Sequence, residues 1–246
     1  MPLLFVHGAA HAAWCWEEHF LPYFADKGYR AVALSFRGHG HSSTSKPLRK
    51  CTIKDYTDDV RTVANELGTL PVVVGHSVGG FVVQKYLEFS TAPAAVLLAS
   101  IPPGGAAGFF SRQFLRHPWL VTRAIVTGKS LHCINTPKLA RESFFCALTP
   151  EPVVAGCAER LQEESAKIPL ELTLRNLPEP GRVTTPTLVL GGECDASVTL
   201  KELRATAVAY DTNAETFPDM GHDMMLEPGW QAVAERIDGW LTGRGL

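Results

Sequence analysis

Short apolar runs alternate with amphipathic stretches along most of the chain. Each run is rich in Val, Leu and Ala and stops at a turn that contains Gly, His or Pro. The runs cover residues 3–6, 31–36, 72–74, 94–100 and 187–190, and the mixed segment 214–217 is a further strand candidate. Continuous apolar runs of this length are typical of strands that are buried on both faces, as in parallel sheets.

The stretches between the runs carry the periodicity and the end signals of helices. They cover residues 16–27, 53–67, 78–89 and 229–241. The second has aspartates in its early turns and Gly68 just beyond its end, which suits the helix dipole and a glycine C-cap. The alternation predicts an α/β fold with an open, mostly parallel sheet of about six strands flanked by helices. Ligands bind such sheets at the carboxyl ends of the strands.

The alternation stops between residues 103 and 182, where no convincing strand is found and aromatic residues are frequent. Four helical patches are predicted there, at residues 109–117, 120–126, 137–145 and 152–165. The simplest interpretation is a helical cap, residues 103–182, inserted into one α/β core formed by residues 1–102 and 183–246. Ala10, Trp119, Phe144 and Phe145 are candidate substrate-binding residues, although packing of the cap onto the core explains the three aromatics equally well.

Residues 75–79 read Gly-His-Ser-Val-Gly and fit the G-x-S-x-G pattern between a predicted strand and a predicted helix. This context predicts a nucleophile elbow, a tight turn that exposes the hydroxyl group of Ser77. Small residues at positions 75 and 79 let the strand and the helix approach closely. The helix that begins near Val78 directs its N–H groups at the reacting oxygen.

A serine hydroxyl group is a weak nucleophile and needs a general base and a group that orients the base. His222 lies in the loop that precedes the last predicted helix, where it can reach Ser77. Asp195 comes directly after the apolar run 187–190 and its glycines, and Glu193 is the rival carboxylate.

The two acidic residues nearest the histidine, Asp219 and Asp223, are predicted to be solvated loop charges, because they flank His222 too closely to orient it.

Acyl transfer also needs two N–H donors that stabilise the oxyanion. The N–H of Val78, the residue after the nucleophile, is one candidate. The second is expected from the loop after the first strand, with Ala9 as first choice and Ala10 as second. His7 and His76 adjoin the active-site loops and are expected to hold loop backbone by hydrogen bonds.

These motifs together resemble the α/β-hydrolase superfamily over nearly the whole chain. The matching segments are residues 6–10, 37–42, 75–80 and 221–222, and residues 7–16 are similar to the H-G-x-x-H-x-x-W start of the plant methylesterase and hydroxynitrile lyase group. Bacterial carboxylesterase-like members also carry this start. The resemblance implies a triad of Ser77, Asp195 and His222, oxyanion donors at Ala9 and Val78, and a cap domain.

The sequence differs from other enzymes of this superfamily at two places that matter for activity. Epoxide hydrolases and haloalkane dehalogenases of this fold have aspartate at the nucleophile position, so Ser77 argues against both activities. The hydroxynitrile lyases have a lysine soon after the catalytic histidine, and the segment after His222 has none. Cyanohydrin cleavage is therefore disfavoured.

Composition and charge exclude several other classes. The 246 residues include 23 basic and 25 acidic side chains, a net charge of −2, which predicts no nucleic-acid partner. No apolar run approaches the ~20 residues of a membrane-spanning helix. No signal peptide is recognisable, so a cytoplasmic location is expected. The six cysteines form no C-x-x-C pair, which predicts reduced thiols and no metal site.

Together these features predict a serine hydrolase that cleaves a carboxylic ester of a small to medium apolar molecule through an acyl-enzyme, without a cofactor. Thioester, lactone, amide or C–C hydrolysis would use the same residues. A receptor-like protein that binds a ligand on the same scaffold is the alternative from a different class. The sequence predicts no particular oligomeric state.

Overall fold

Six parallel strands form one sheet in the computed structural model, which describes all 246 residues. The strands are β1 (Pro2–Val6), β2 (Arg30–Leu34), β3 (Val72–His76), β4 (Ala95–Leu98), β5 (Thr187–Gly192) and β6 (Ala214–Phe217). Their order across the sheet is β2-β1-β3-β4-β5-β6. The predicted α/β fold is confirmed, and the sheet is parallel throughout.

Eleven helices surround the sheet, together with three single turns of 3₁₀ helix at residues 48–50, 131–133 and 180–182. The helices are α1 (Trp14–Glu17), α2 (Phe20–Asp26), α3 (Ile53–Glu66), α4 (Val78–Leu87), α5 (Ala107–Arg116), α6 (Pro118–Thr127), α7 (Pro137–Phe144), α8 (Glu151–Arg160), α9 (Ile168–Leu174), α10 (Leu200–Ala209) and α11 (Trp230–Thr242). None of them combines the length and the apolarity that spanning a bilayer requires.

Successive side chains of the central strands point into two different apolar layers. Leu3 and Phe5 pack in the layer that contains Trp16 of α1, whereas Leu4 belongs to the layer that contains Phe81 of α4. All of these side chains are fully buried. Because both faces of the sheet are covered at its centre, strands such as β1 and β4 are continuous apolar runs and do not alternate with polar residues.

Two helix boundaries differ from the prediction for identifiable reasons. The single helix expected at 16–27 is divided into α1 and α2, because Pro22 cannot donate to the carbonyl group of Glu18 and its ring crowds that position. Helix α10 was not predicted at all. Thr199 and Glu202 form a capping box at its start, a signal that is readable in the sequence.

The region between β4 and β5 contains helices α5 to α9 and no strand. Helix α8 ends at Arg160, so the helix predicted to reach residue 165 is too long. The backbone becomes extended at Leu161 because residues 162–165 form hydrogen bonds with the loops after β1 and β2. The division of the chain into core and cap stays a prediction.

Candidate active site

Four loops meet at the carboxyl edge of the sheet, where ligands bind in folds of this type. The loop after β1 begins at His7, and Ser77 follows β3 directly. Asp195 lies in the loop after β5, and His222 in the loop between β6 and α11. The topology therefore brings residues together that are distant in the sequence.

Ser77 occupies a strained turn between β3 and α4. Its φ is 53° and its ψ is −120°, a region that residues other than glycine rarely adopt. The turn is held because Ser77 N–H donates to the carbonyl group of Leu98, and Ile101 N–H donates to the carbonyl group of Ser77. Gly79 lets α4 approach β1, since a Cβ atom there would overlap the backbone carbonyl groups of Val6 and His7.

Ser77, His222 and Asp195 form a continuous hydrogen-bonded chain. Ser77 Oγ lies 2.8 Å from His222 Nε2, and Asp195 Oδ2 lies 2.8 Å from His222 Nδ1. The side chains of His222 and Asp195 are each only 2% exposed. The backbone N–H groups of Ser197 and Val198 donate to Asp195 Oδ1 and fix the carboxylate. This arrangement can remove the proton from Ser77 and stabilise the imidazolium that results.

The rival carboxylate lies elsewhere. Glu193 is exposed and accepts a hydrogen bond from the hydroxyl group of Thr216 at 2.9 Å. It has no hydrogen bond to His222.

The charges around His222 favour its protonated form. Burial acts to lower the pKa of His222, but the charge and hydrogen bond of Asp195, with the charge of Asp223, hold that pKa above 6.5. Burial lowers the pKa of His76 to about 3, so this ring is neutral. Its Nε2–H donates to the carbonyl oxygen of His222 at 3.0 Å and fixes the backbone of the histidine loop.

The backbone N–H groups of Ala9 and Val78, the two positions predicted as oxyanion donors, donate to no acceptor within the protein. Ala10, the second choice, differs because its N–H donates to Glu164 Oε2 at 3.4 Å. The loop lies against the nucleophile, since a Cβ atom on Gly8 would be 2.9 Å from Ser77 Cβ.

Asp223 is not the solvated loop charge that the sequence predicted. Its side chain is fully buried, and Oδ2 lies 3.0 Å from His11 Nε2. Burial acts to raise the pKa of Asp223, but the charge and hydrogen bond of His11 hold it below its ordinary value. His76 Nε2 lies 3.7 Å from Oδ1 of the same carboxylate. A hydrophobic pattern around His222 gives no sign of this pairing, because His11 is more than 200 residues away.

His11 and Asp223 also belong to a group of three residues whose side-chain atoms could ligate a metal ion. Atoms of His11, Cys157 and Asp223 lie within 4.8 Å of one another, and all three residues are buried. The hydrogen bond between His11 Nε2 and Asp223 Oδ2 already occupies two of these candidate ligand atoms. All six cysteines of the chain are free thiols.

The three aromatic candidates for substrate binding have different surroundings. The ring of Phe144 stacks 6.2 Å from the ring of His222 and meets His11 edge-on at 5.3 Å, so it lies beside the triad. Phe145 is 6% exposed and packs in the apolar core. The side chain of Trp119 is 79% exposed, and its role in substrate binding stays a prediction.

Glu227 is a buried carboxylate whose role was not predicted from the sequence. It accepts hydrogen bonds from the N–H groups of Cys146 and Gly221, at 2.6 and 2.9 Å, and from the hydroxyl group of Thr149. The loop that carries His222 is thereby fastened to the region between β4 and β5.

A family model described as the alpha/beta hydrolase family matches residues 3–236. The chain belongs to the α/β-hydrolase family. It is 26% identical to a non-heme chloroperoxidase of Burkholderia pyrrocinia, over 91% of this chain and 86% of that protein. Among solved structures it is similar to BpoC of Mycobacterium tuberculosis H37Rv, with a TM-score of 0.80, 21% identity and coverage of 99% and 92% of the two chains.

A thermophilic esterase from Thermogutta terrifontis is similar to this α/β hydrolase in the same way. The TM-score is 0.77 and the identity 20%, over 99% of this chain and 90% of the esterase. At these identities the two structures establish the fold.

Proposed function

We propose that this α/β hydrolase cleaves a carboxylic ester of a small to medium apolar molecule through an acyl-enzyme. The observation that carries the proposal is the hydrogen-bonded chain of Ser77, His222 and Asp195 beside two unpaired N–H groups. Nucleophile, base, orienting carboxylate and oxyanion donors are the complete set that acyl transfer requires.

In the first half-reaction Ser77 Oγ attacks the ester carbonyl carbon while His222 Nε2 takes the serine proton. The N–H groups of Ala9 and Val78 bind the oxyanion, and each is worth about 3 kcal/mol of barrier. Protonated His222 then gives the proton to the leaving alcohol, and the carbon–oxygen bond of the ester breaks. In the second half-reaction water replaces the alcohol, loses a proton to His222 and releases the carboxylic acid from Ser77.

Two features support an apolar substrate of limited size. Phe144 presents an aromatic ring beside His222, and Ser77 is only 8% exposed, so little space is open to solvent at the nucleophile. The fold of this chain is shared with a protein described as an esterase, which adds support for ester cleavage.

The test is a panel of p-nitrophenyl esters of graded acyl length, with one thioester and one lactone, assayed with wild type and Ser77→Ala. We expect the highest kcat/KM with short to medium acyl chains. Ser77→Ala should lower turnover by about 10⁴-fold or more, because nucleophile and base act as a unit. Ser143→Ala is the matched control, since Ser143 is also 8% exposed but lies outside the triad. Near-wild-type rates for Ser77→Ala refute the proposal.

The name of the chloroperoxidase relative favours a second candidate activity. An acyl-enzyme on Ser77 can be attacked by hydrogen peroxide in place of water, which gives a peracid that can oxidise halide. Adding hydrogen peroxide, acetate and bromide to the same assay tests it. Bromination that depends on Ser77 supports this use of the site, and bromination that persists in Ser77→Ala refutes it.

A further inference from the structure

The extended segment after helix α8 grips one residue of the loop that follows β1. The N–H of Gln162 donates to the carbonyl oxygen of Ala10 at 2.8 Å. The N–H of Ala10 donates to Glu164 Oε2 at 3.4 Å. Both backbone hydrogen-bonding groups of Ala10 are therefore satisfied by two residues that lie more than 150 positions further along the chain.

Ala10 needs such support because its backbone is strained. Its φ is 61°, in the left-handed region that favours glycine. A residue other than glycine keeps this conformation only when its surroundings impose it. Ala9, whose free N–H is the proposed oxyanion donor, is the preceding residue and shares a peptide plane with Ala10 N–H, so holding Ala10 in place also restrains the position of Ala9 in the loop.

Glu164 is itself held rigidly. Its Oε1 accepts hydrogen bonds of 2.6 Å from the hydroxyl group of Tyr56 and from the N–H of Ser165. His39 Nε2 lies 3.5 Å from Oε2, and no hydrogen bond occupies either ring nitrogen of His39. Burial acts to raise the pKa of Glu164, but His39 and the hydrogen bonds hold it below its ordinary value. A carboxylate that is 7% exposed is thus kept ionised and pointed at Ala10.

The same segment is fastened to a second loop of the sheet domain. Gln162 Oε1 accepts a hydrogen bond from the N–H of Gly40 at 2.7 Å. The hydroxyl group of Ser165 donates to the carbonyl oxygen of Cys51 at 2.7 Å. The segment from Gln162 to Ser165 therefore bridges the loops after β1 and β2, and it does not merely lie over them.

We propose that Glu164 and the backbone of Gln162 clamp Ala10 and so position the N–H of Ala9 for the oxyanion. Glu164 is a positioning residue, because it acts through Ala10 and does not touch the reacting atoms. The catalytic consequence rests on the proposed function, whereas the clamp itself does not. It makes the oxyanion hole dependent on the seating of the region between β4 and β5.

Two pairs of variants test the two halves of the clamp. Glu164→Ala removes the acceptor of Ala10 N–H, and Glu163→Gln is its control, because Glu163 binds the N–H groups of Ser130 and Leu131 and not Ala10. Gln162→Pro removes the N–H that donates to Ala10. Gln162→Ala is its control, because it loses the side chain but keeps that N–H.

The first measurement is hydrogen exchange, followed by mass spectrometry of peptides that cover residues 7–13. We expect the Ala10 amide to exchange at least about 10-fold faster in Glu164→Ala and Gln162→Pro than in their controls, since an opened hydrogen bond exposes it. Unchanged exchange in either folded variant overturns the clamp. The Gln162 pair decides the matter if Glu164→Ala does not fold.

The second measurement is ester turnover by the same variants. We expect kcat to fall by about 10- to 100-fold, less than the loss of a whole oxyanion donor, with KM within about 3-fold of wild type. Faster exchange with unchanged kcat, or a loss carried by KM alone, overturns the positioning role. Absence of Ser77-dependent turnover in the wild type would instead refute the proposed function, and the exchange result would still decide on the clamp.

Discussion

The buried contact between Asp223 and His11 predicts that removing the charge of Asp223 lowers the stability of the protein. Asp223→Asn keeps the shape of the side chain and removes its charge, so no cavity forms. The carboxylate is fully buried and 3.0 Å from His11 Nε2. Breaking a buried pair on one side costs about 3–5 kcal/mol, because the remaining partner is left without compensation. For a chain of this size each kcal/mol lowers Tm by about 2–4 °C, so Tm should fall by about 6–20 °C.

Urea unfolding at pH 7, followed by tryptophan fluorescence, measures the change in the free energy of unfolding. Asp219→Asn is the matched control, because Asp219 is exposed and Asn tolerates its positive φ. We expect that control to stay within about 0.5 kcal/mol of wild type. A double-mutant cycle with His11→Phe should give a coupling of at least about 1.5 kcal/mol. A loss below about 1 kcal/mol for Asp223→Asn would contradict a stabilising role for the buried carboxylate and its hydrogen bond to His11.

Three further predictions address the triad and its turn. The rise of kcat/KM with pH should have its midpoint above 6.5, because the base must be neutral and the pKa of His222 is raised; a midpoint below 6.5 contradicts the stated charge environment. Asp195→Asn should lower kcat by about 10⁴-fold while Glu193→Gln changes it little, and the reverse order would assign the orienting role to Glu193. Gly79→Ala should abolish activity or folding because its Cβ atom meets backbone, whereas Gly239→Ala, which meets nothing, should stabilise the protein by about 0.5–1 kcal/mol in urea unfolding.

Local sequence signals were sufficient to predict the sheet and the loops that carry Ser77, Asp195 and His222. Strands buried on both faces are continuous apolar runs, and the strand–Gly-x-Ser-x-Gly–helix arrangement determines its own backbone geometry. The parallel order of the strands then brings the loops of Ser77, Asp195 and His222 to one edge. Each of these inferences requires only neighbouring residues and a general rule of chain topology.

The supporting residues could not be predicted in this way, because their roles arise from contacts between distant segments. Asp223 is charged and follows a glycine-containing loop, which locally indicates solvent exposure, and only the packing of His11 against it reverses that. Glu164 lies in a sequence with good helical periodicity, but its pairing with Ala10 outweighs the propensity of one further helical turn. The exposure of Trp119 likewise depends on where helix α6 packs, which the composition of that helix does not determine.

Ser77 is proposed to be the nucleophile, and covalent labelling is the most direct test of that role. The protein is incubated with a fluorophosphonate at pH 8, and the adduct is located by intact-mass and peptide mass spectrometry. We expect one adduct per chain, on the peptide that contains Ser77, absent in Ser77→Ala and strongly slowed in His222→Ala. Ester hydrolysis that continues at wild-type rate with Ser77 unlabelled, or an adduct on another residue that abolishes activity, would contradict it.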